Sequence, residues 1–90
     1  MLCTHRYLIS GRVQGVGFRW ATVDLARRLH VTGTVENLAT GQVLVIASGS
    51  TAILTKFQAG LAHVNPWARV TAIEMTELPP RHFTDFHVNI

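Results

Sequence analysis

Apolar and polar positions along the 90-residue chain change their period several times, and each change marks an element. Over residues 5–13 (HRYLISGRV), Tyr7, Ile9, Gly11 and Val13 alternate with Leu8, Ser10 and Arg12, a period of two that predicts a strand. QGVG follows as a glycine-punctuated turn. From Phe18 the period lengthens. Phe18, Ala21, Leu25 and Leu29 recur at helical spacing, Arg27 and Arg28 stand near the end where cations suit the helix dipole, and Gly33 lies just beyond. Period two returns over 31–37 (VTGTVEN), with Val31, Gly33, Val35 and Asn37 on one face. Residues 38–41 (LATG) predict a tight connection, and 42–48 (QVLVIAS) run almost wholly apolar, so the pair predicts a hairpin whose second strand is buried on both faces or nearly so. Gly49 breaks the chain, and Ser50 or Thr51 offers an N-cap to a second helix striped by Ile53, Leu54, Phe57 and Leu61. That helix should end near His63, because Pro66 disfavours helical geometry at Asn65. Residues 67–77 alternate Arg69, Thr71, Ile73 and Met75 against Ala68, Val70, Ala72 and Glu74. Pro79-Pro80 then forces a corner, and FHVNI suits a short closing strand.

This order, strand–helix–strand–strand–helix–strand with a possible fifth strand, predicts an α+β fold. It is the ferredoxin-like split βαβ sandwich (βαββαβ), an antiparallel sheet of four to five strands with two helices on one face. No linker or repeat divides residues 1–90, so a single domain is expected. In such a sheet the first and third strands are central and the second lies beside the third. The fold serves many activities, and the function has to come from particular residues.

Composition narrows the setting. Apolar residues make up 48% of the chain and charged residues 14%, enough for the efficient core that a domain burying roughly two-thirds of its surface requires. No run approaches the roughly 20 apolar residues of a membrane helix, and MLCTHRYLISGR holds no signal-peptide apolar region, so a cytoplasmic location and no membrane partner are expected. Cys3 is the only cysteine, which excludes an intrachain disulfide and a thiolate cluster. No exposed apolar stripe demands a dimer, and a monomer is expected. The formal net charge of +3 favours anionic partners, although of the dispersed basic residues only Arg27 and Arg28 are adjacent.

Candidate chemistry centres on GRVQGVGFR, Gly11 to Arg19. A strand ends, glycines stand at 15 and 17, and a helix begins at about Phe18. Amides at a helix N-terminus lack internal partners and carry the positive end of the dipole, and glycines let the preceding turn curl its amides into one concavity. Arg19, in the first helical turn, can send its fork of donors to the same anion. The plainer possibility is a tight turn with a solvated arginine. Neither a Walker loop nor a full G-x-G-x-x-G motif is present. Asn37 is the second candidate: a turn former before Gly41, or an amide that orients a water beside a phosphate held by the arginine.

GRVQGVGFR, the later GTVENLATGQVLV and the PWARV before the fourth strand together resemble the acylphosphatases, over essentially the whole chain and in the same order. The resemblance implies a single acylphosphatase-like domain over 1–90 that hydrolyses the carboxyl–phosphate bond of acyl phosphates to a carboxylate and inorganic phosphate, without metal or cofactor. It implies that Gln14, Gly15, Val16, Gly17 and Phe18 supply an amide cradle, that Arg19 binds the phosphate as a catalytic residue, and that Asn37 positions the water. Two departures stand out: Thr34 where the family often has an aromatic residue, and Ala39-Thr40 in place of a frequent Pro-Asp. Neither touches Arg19 or Asn37.

Other side chains suggest less. His5, His30, His63, His82 and His87 show no metal-ligand spacing, and Cys3 has no paired base. Trp20 suits packing or half-exposure, Trp67 a cover over the core edge, and Asp24 and Glu36 form no acid–base dyad. Two rivals remain. A non-catalytic acylphosphatase-like domain would bind an acyl or carbamoyl phosphate without turnover. A ferredoxin-like nucleic-acid-binding module would need aromatics on its central strands, where 42–48 has none and the first strand only Tyr7.

Overall fold

The computed structural model describes residues 1–89. The chain runs β1 (Cys3–Arg12), α1 (Phe18–Arg28), β2 (Thr32–Asn37), β3 (Val43–Gly49), α2 (Thr51–Leu61), β4 (Arg69–Leu78) and β5 (Phe86–Val88). One sheet holds all five strands in the order β4-β1-β3-β2-β5. The expected ferredoxin-like α+β fold is thus present, with β1 and β3 central and β2 beside β3. The first four strands pair antiparallel, whereas β5 runs parallel to β2, so the sheet is mixed. β5 reaches that far edge because residues 79–85 leave the opposite edge at Leu78 and cross the sheet. Thr4 and Ser48 pin the crossing: the Arg81 amide donates to Thr4 Oγ1 and the Ser48 hydroxyl donates to the Arg81 carbonyl, both at 2.8 Å. Of the predicted FHVNI strand, Ile90 lies outside the described residues.

The core fills the space between the sheet and the two helices. Tyr7 and Ile9 of β1, Val35 of β2, Val43, Val45 and Ala47 of β3, and Leu54, Phe57 and Leu61 of α2 are all fully buried there. Tyr7, Phe57 and Phe86 pack in sequence with ring centroids 5.9 Å apart at each step, tilted at the first and edge to face at the second. Burial pushes the Tyr7 phenol up to about 12, so it stays protonated across the neutral range while it lies 3.1 Å from His5 Nδ1. The apolar run 42–48 is fully buried on one face, and on the other only Ser48, beneath the crossing, is fully buried. Both helices pack on the face of Val43, Val45 and Ala47, and Leu44 and Ile46 on the other face stay half-buried. Tyr7, the one aromatic candidate for base stacking on β1, points into the core.

The second helix follows its predicted stripe, and the first differs from it in detail. The buried residues of α1 are Phe18, Thr22, Val23 and Ala26, a stripe rotated from the one predicted. Thr22 reads as polar in the sequence, yet its hydroxyl donates to the Phe18 carbonyl at 2.8 Å, which lets the remainder of the side chain enter the core. Leu25 instead faces α2 at Gly60, where an added Cβ would stand 2.9 Å from Leu25 Cδ2. Gly33 does not end α1. His30 does, at φ 58, with Val31 N donating to the Ala26 carbonyl and His30 N to that of Arg27, the Schellman pattern. α2 begins as expected at Ser50, whose hydroxyl accepts from Ile53 N at 3.2 Å.

Alternation in β4 breaks at a bulge. Ser10 pairs with Ala72 and Gly11 with Val70, which leaves Thr71 as an extra residue. The register therefore flips, and Val70 packs on the core with Ile73 instead of opposite to it. Gly11 sits at φ +126, and a Cβ there would stand 2.0 Å from the Arg69 carbonyl oxygen. Gly11→Ala is expected to cost about 3 kcal/mol through clash and backbone strain combined, read as a fall in the urea midpoint with an unchanged slope.

Candidate active site

The loop between β1 and α1 is built from its two ends. Val13 and Phe18 are buried on either side, so the residues between them span a short gap. Gly15 at φ +74 and Gly17 at φ +79 take left-handed conformations that make the turn, and Gly17 is the N-cap of α1. No side chain caps the helix, and its first turn carries no acidic residue. Among the described residues, none of the amides of Gln14, Gly15, Val16, Gly17 and Phe18 donates to a carbonyl of the chain. The first α1 amide that does so is Ala21 N, to the Gly17 carbonyl at 3.1 Å. This is the arrangement that leaves several donors and the positive end of a helix dipole facing one space. Arg19, second residue of α1, is half-buried and forms no ion pair among the described residues.

Asn37 ends β2 opposite Val43 and shares the helix-covered face with Val35. Its Oδ1 is buried and has no hydrogen-bond partner among the described residues. A buried, unpaired acceptor costs about 1–3 kcal/mol, and folded chains rarely retain one without a use for it. The hairpin turn beside it needs no help from the Asn37 side chain. Leu38 N donates to the Gln42 carbonyl, Gly41 N to that of Leu38, and Thr40 Oγ1 to Gln42 Oε1 at 2.9 Å. Thr40, one of the two departures from the family pattern, thus contributes its own bond to the turn. Thr34, the other, lies half-buried on the open face opposite Ile46.

Two side chains hold the loop in place, and neither has that role in the sequence-based expectations. Gln14, expected only as an amide donor, sends Nε2 to the carbonyls of Leu38 at 2.8 Å and Gln42 at 2.9 Å. It fastens the loop to the hairpin end next to Asn37. From the other side Asn65 Nδ2 donates to the Val16 carbonyl at 3.0 Å, while Asn65 Oδ1 accepts from Trp67 N and Ala68 N. Asn-Pro at 65–66 is a turn signal legible in the sequence, and it would have marked this residue. The same turn corrects the expectation for Trp67. It is 71% exposed, on the turn whose amides donate to Asn65 Oδ1, and covers no core edge. Trp20 is likewise exposed.

Cys3, His5 and His87 find their partners away from the loop. Cys3 lies near Thr51, with Sγ 3.3 Å from the hydroxyl, and His87 pairs with Asp85 at 2.9 Å. His5 faces Glu77 at 3.8 Å. Among the described residues, no three His, Cys, Asp or Glu side chains converge as metal ligands. No helix among those residues is long and apolar enough to cross a membrane.

Fold and site together define a class: a ferredoxin-like α+β protein with free amides, a guanidinium and an unpartnered amide oxygen at one end of its sheet. Comparison with known proteins gives that class a family. The acylphosphatase family profile matches residues 5–88. An acylphosphatase of Treponema denticola is 43% identical over 83 residues, covering 92% of this chain and 88% of its own. The structure of an acylphosphatase from Coxiella burnetii superposes with a TM-score of 0.92 at 31% identity, over 98% of this chain and 93% of its own. That of the Bacillus subtilis acylphosphatase gives 0.89 at 32% identity and covers both chains completely. The chain belongs to the acylphosphatase family.

Proposed function

We propose that this chain hydrolyses the carboxyl–phosphate bond of acyl phosphates, releasing a carboxylate and inorganic phosphate. In this reading the amides of Gln14 to Phe18 and the Arg19 fork hold the phosphoryl oxygens, and Asn37 Oδ1 accepts a hydrogen from the attacking water. The observation that carries it is Asn37 Oδ1 itself, buried and unpartnered beside the hairpin carbonyls that Gln14 ties to the loop.

The chemistry needs little beyond this. A carboxylate is a good leaving group, so the protein must mainly orient water in line with the breaking bond and balance charge on the phosphoryl oxygens. Water oxygen bonds to phosphorus as the P–O bond to the acyl oxygen breaks, and the carboxylate departs with that electron pair. The water's proton passes to a phosphoryl oxygen of the substrate, so no protein base is required. Donors already fixed in the loop reorganise little as the charge develops. Arg19 and the amides supply the positive charge, so neither metal nor cofactor enters the proposed reaction.

The proposal extends to a single domain over 1–90, acting as a cytoplasmic monomer on a small anionic substrate without nucleic acid. Benzoyl phosphate is the probe. Turnover that resists EDTA and is inhibited competitively by inorganic phosphate is expected. Phosphate binding without any turnover would instead favour the non-catalytic domain. Selective RNA binding in a polarisation assay would favour the nucleic-acid module.

Asn65 enters as a positioning residue. Asn65→Ala removes the donor to Val16 and the acceptor for two amides, and about one hydrogen bond's worth of preorganisation should go with it. The inhibition constant for inorganic phosphate is expected to rise about tenfold, with KM moving in parallel and kcat changing less. An unchanged inhibition constant would show that the loop holds its shape without this clip.

A further inference from the structure

The hairpin that carries Asn37 has a soft turn. Ala39, Thr40 and Gly41 are exposed, no proline fixes a φ among them, and Gly41 sits at φ +92. Asn37 Oδ1 has no partner of its own, so its place follows from how the hairpin backbone is held. Gln42 does much of that holding. Its Nε2 donates to Ser10 Oγ at 2.9 Å, and its Oε1 accepts from the Thr40 hydroxyl at 2.9 Å. Its amide donates back to Thr40 Oγ1 at 3.3 Å, and its carbonyl accepts from Leu38 N and Gln14 Nε2. Each polar group of this half-buried residue is therefore engaged.

The bond to Ser10 stands where the sheet stops. The backbone register of β1 with β3 ends at Ile9 and Val43, and Ser10 opposite Gln42 is the next position. A side-chain bond carries the pairing one residue further, on the face of the sheet away from Asn37. Ser10 is anchored on its other side by its pairing with Ala72 of β4. β1 runs on from Ser10 towards the amide loop, and β2 runs on from Asn37 through the turn to Gln42. Gln14 closes the circuit from the loop back to the hairpin carbonyls. The segments 10–14 and 38–42 are thus joined at both ends, and the hairpin cannot shift against the loop without breaking one of these bonds.

We propose that Gln42 and Ser10 are positioning residues for the reaction. The inference rests on the acyl phosphate reading above and deepens it. Their bond fixes the hairpin against β1, and so fixes the separation between the phosphate on the Gln14–Arg19 loop and the water on Asn37 Oδ1. In-line attack tolerates little displacement of the nucleophile, so a loosened hairpin slows turnover. The loop, tied separately by Asn65, still binds phosphate.

Gln42→Met keeps the side-chain length and the backbone carbonyl, and it removes the side-chain bonds to Ser10 and Thr40. In this variant kcat for benzoyl phosphate is expected to fall about tenfold, while the inhibition constant for inorganic phosphate stays within about twofold. Ser10→Ala should give the same split, and Ser10→Thr, which keeps the hydroxyl, should restore kcat to within about twofold of the wild type. The deciding measurement is a double-mutant cycle. In an Asn37→Ala background, Gln42→Met should change kcat by less than about twofold, because the water that it helps to place is already lost. A urea melt checks that each variant is folded, and Ser10→Ala carries the same cycle if Gln42→Met does not fold. An unchanged kcat in the folded variants, or a tenfold loss that persists without Asn37, overturns the positioning role and leaves the acyl phosphate reading standing. A wild type that does not turn over benzoyl phosphate overturns both.

Discussion

Replacing Arg19 by Gln should lower kcat/KM for benzoyl phosphate by about 10³-fold or more, the scale on which a single transition-state arginine acts in phosphoryl transfer. That corresponds to about 4 kcal/mol of lost stabilisation. Competitive inhibition by phosphate should weaken in the same variant, since the guanidinium fork holds the ground-state oxygens as well. Lysine should restore little, because an ammonium offers charge without the planar pair of donors. Stability should hardly move, as Arg19 is half-buried and forms no ion pair among the described residues. A folded Arg19→Gln protein with near-normal turnover would remove Arg19 from the site and return the loop to a tight turn with a solvated arginine.

Asn37→Ala should separate catalysis from both binding and folding. Turnover is expected to fall about 10²-fold, the usual loss on removing one well-placed polar group from a reacting centre. The inhibition constant for phosphate should stay within about twofold, because water orientation is not phosphate binding. The stability result carries equal weight. If Asn37 served the hairpin turn, its removal would destabilise the protein. The turn is already held by backbone bonds, Thr40 and Gln14, and Asn37 Oδ1 has no partner to lose. The urea midpoint of the variant should therefore be unchanged or higher. A clear loss of stability with intact turnover would make Asn37 a structural residue.

Much of this site was legible before any coordinates. Glycines at 15 and 17, a buried aromatic at 18 and an arginine one residue on define a strand-to-helix turn through local geometry alone. The spacing of Val31, Gly33, Val35 and Asn37 put Asn37 on one face with Val35, and the structure makes that the core face. Where the expectations erred, a longer-range interaction overrode a local pattern. Thr22 is buried because one intrahelical bond satisfies its hydroxyl, and hydropathy assigns that bond no value. Leu44 and Ile46 are only half-covered because both helices chose the other face. The alternation of β4 fails at Thr71 because the bulge inserts a residue that the pattern cannot register.

The order of elements, the amide loop, the place of Arg19 in the first turn of α1 and the common face of Val35 and Asn37 are legible in the amino-acid pattern. All of these follow from periods and conformational preferences acting over a few residues. The tertiary structure alone decided how that loop is held and what surrounds it. Gln14 reaches the hairpin 24 residues away and Asn65 reaches Val16 across 49. The crossing of residues 79–85 makes β5 a parallel neighbour of β2, and the bulge sets Arg12 beside Arg69. Contacts at such separations form only when the whole core packs, since each must offset the entropy of closing a long loop, and no window of the sequence contains both partners.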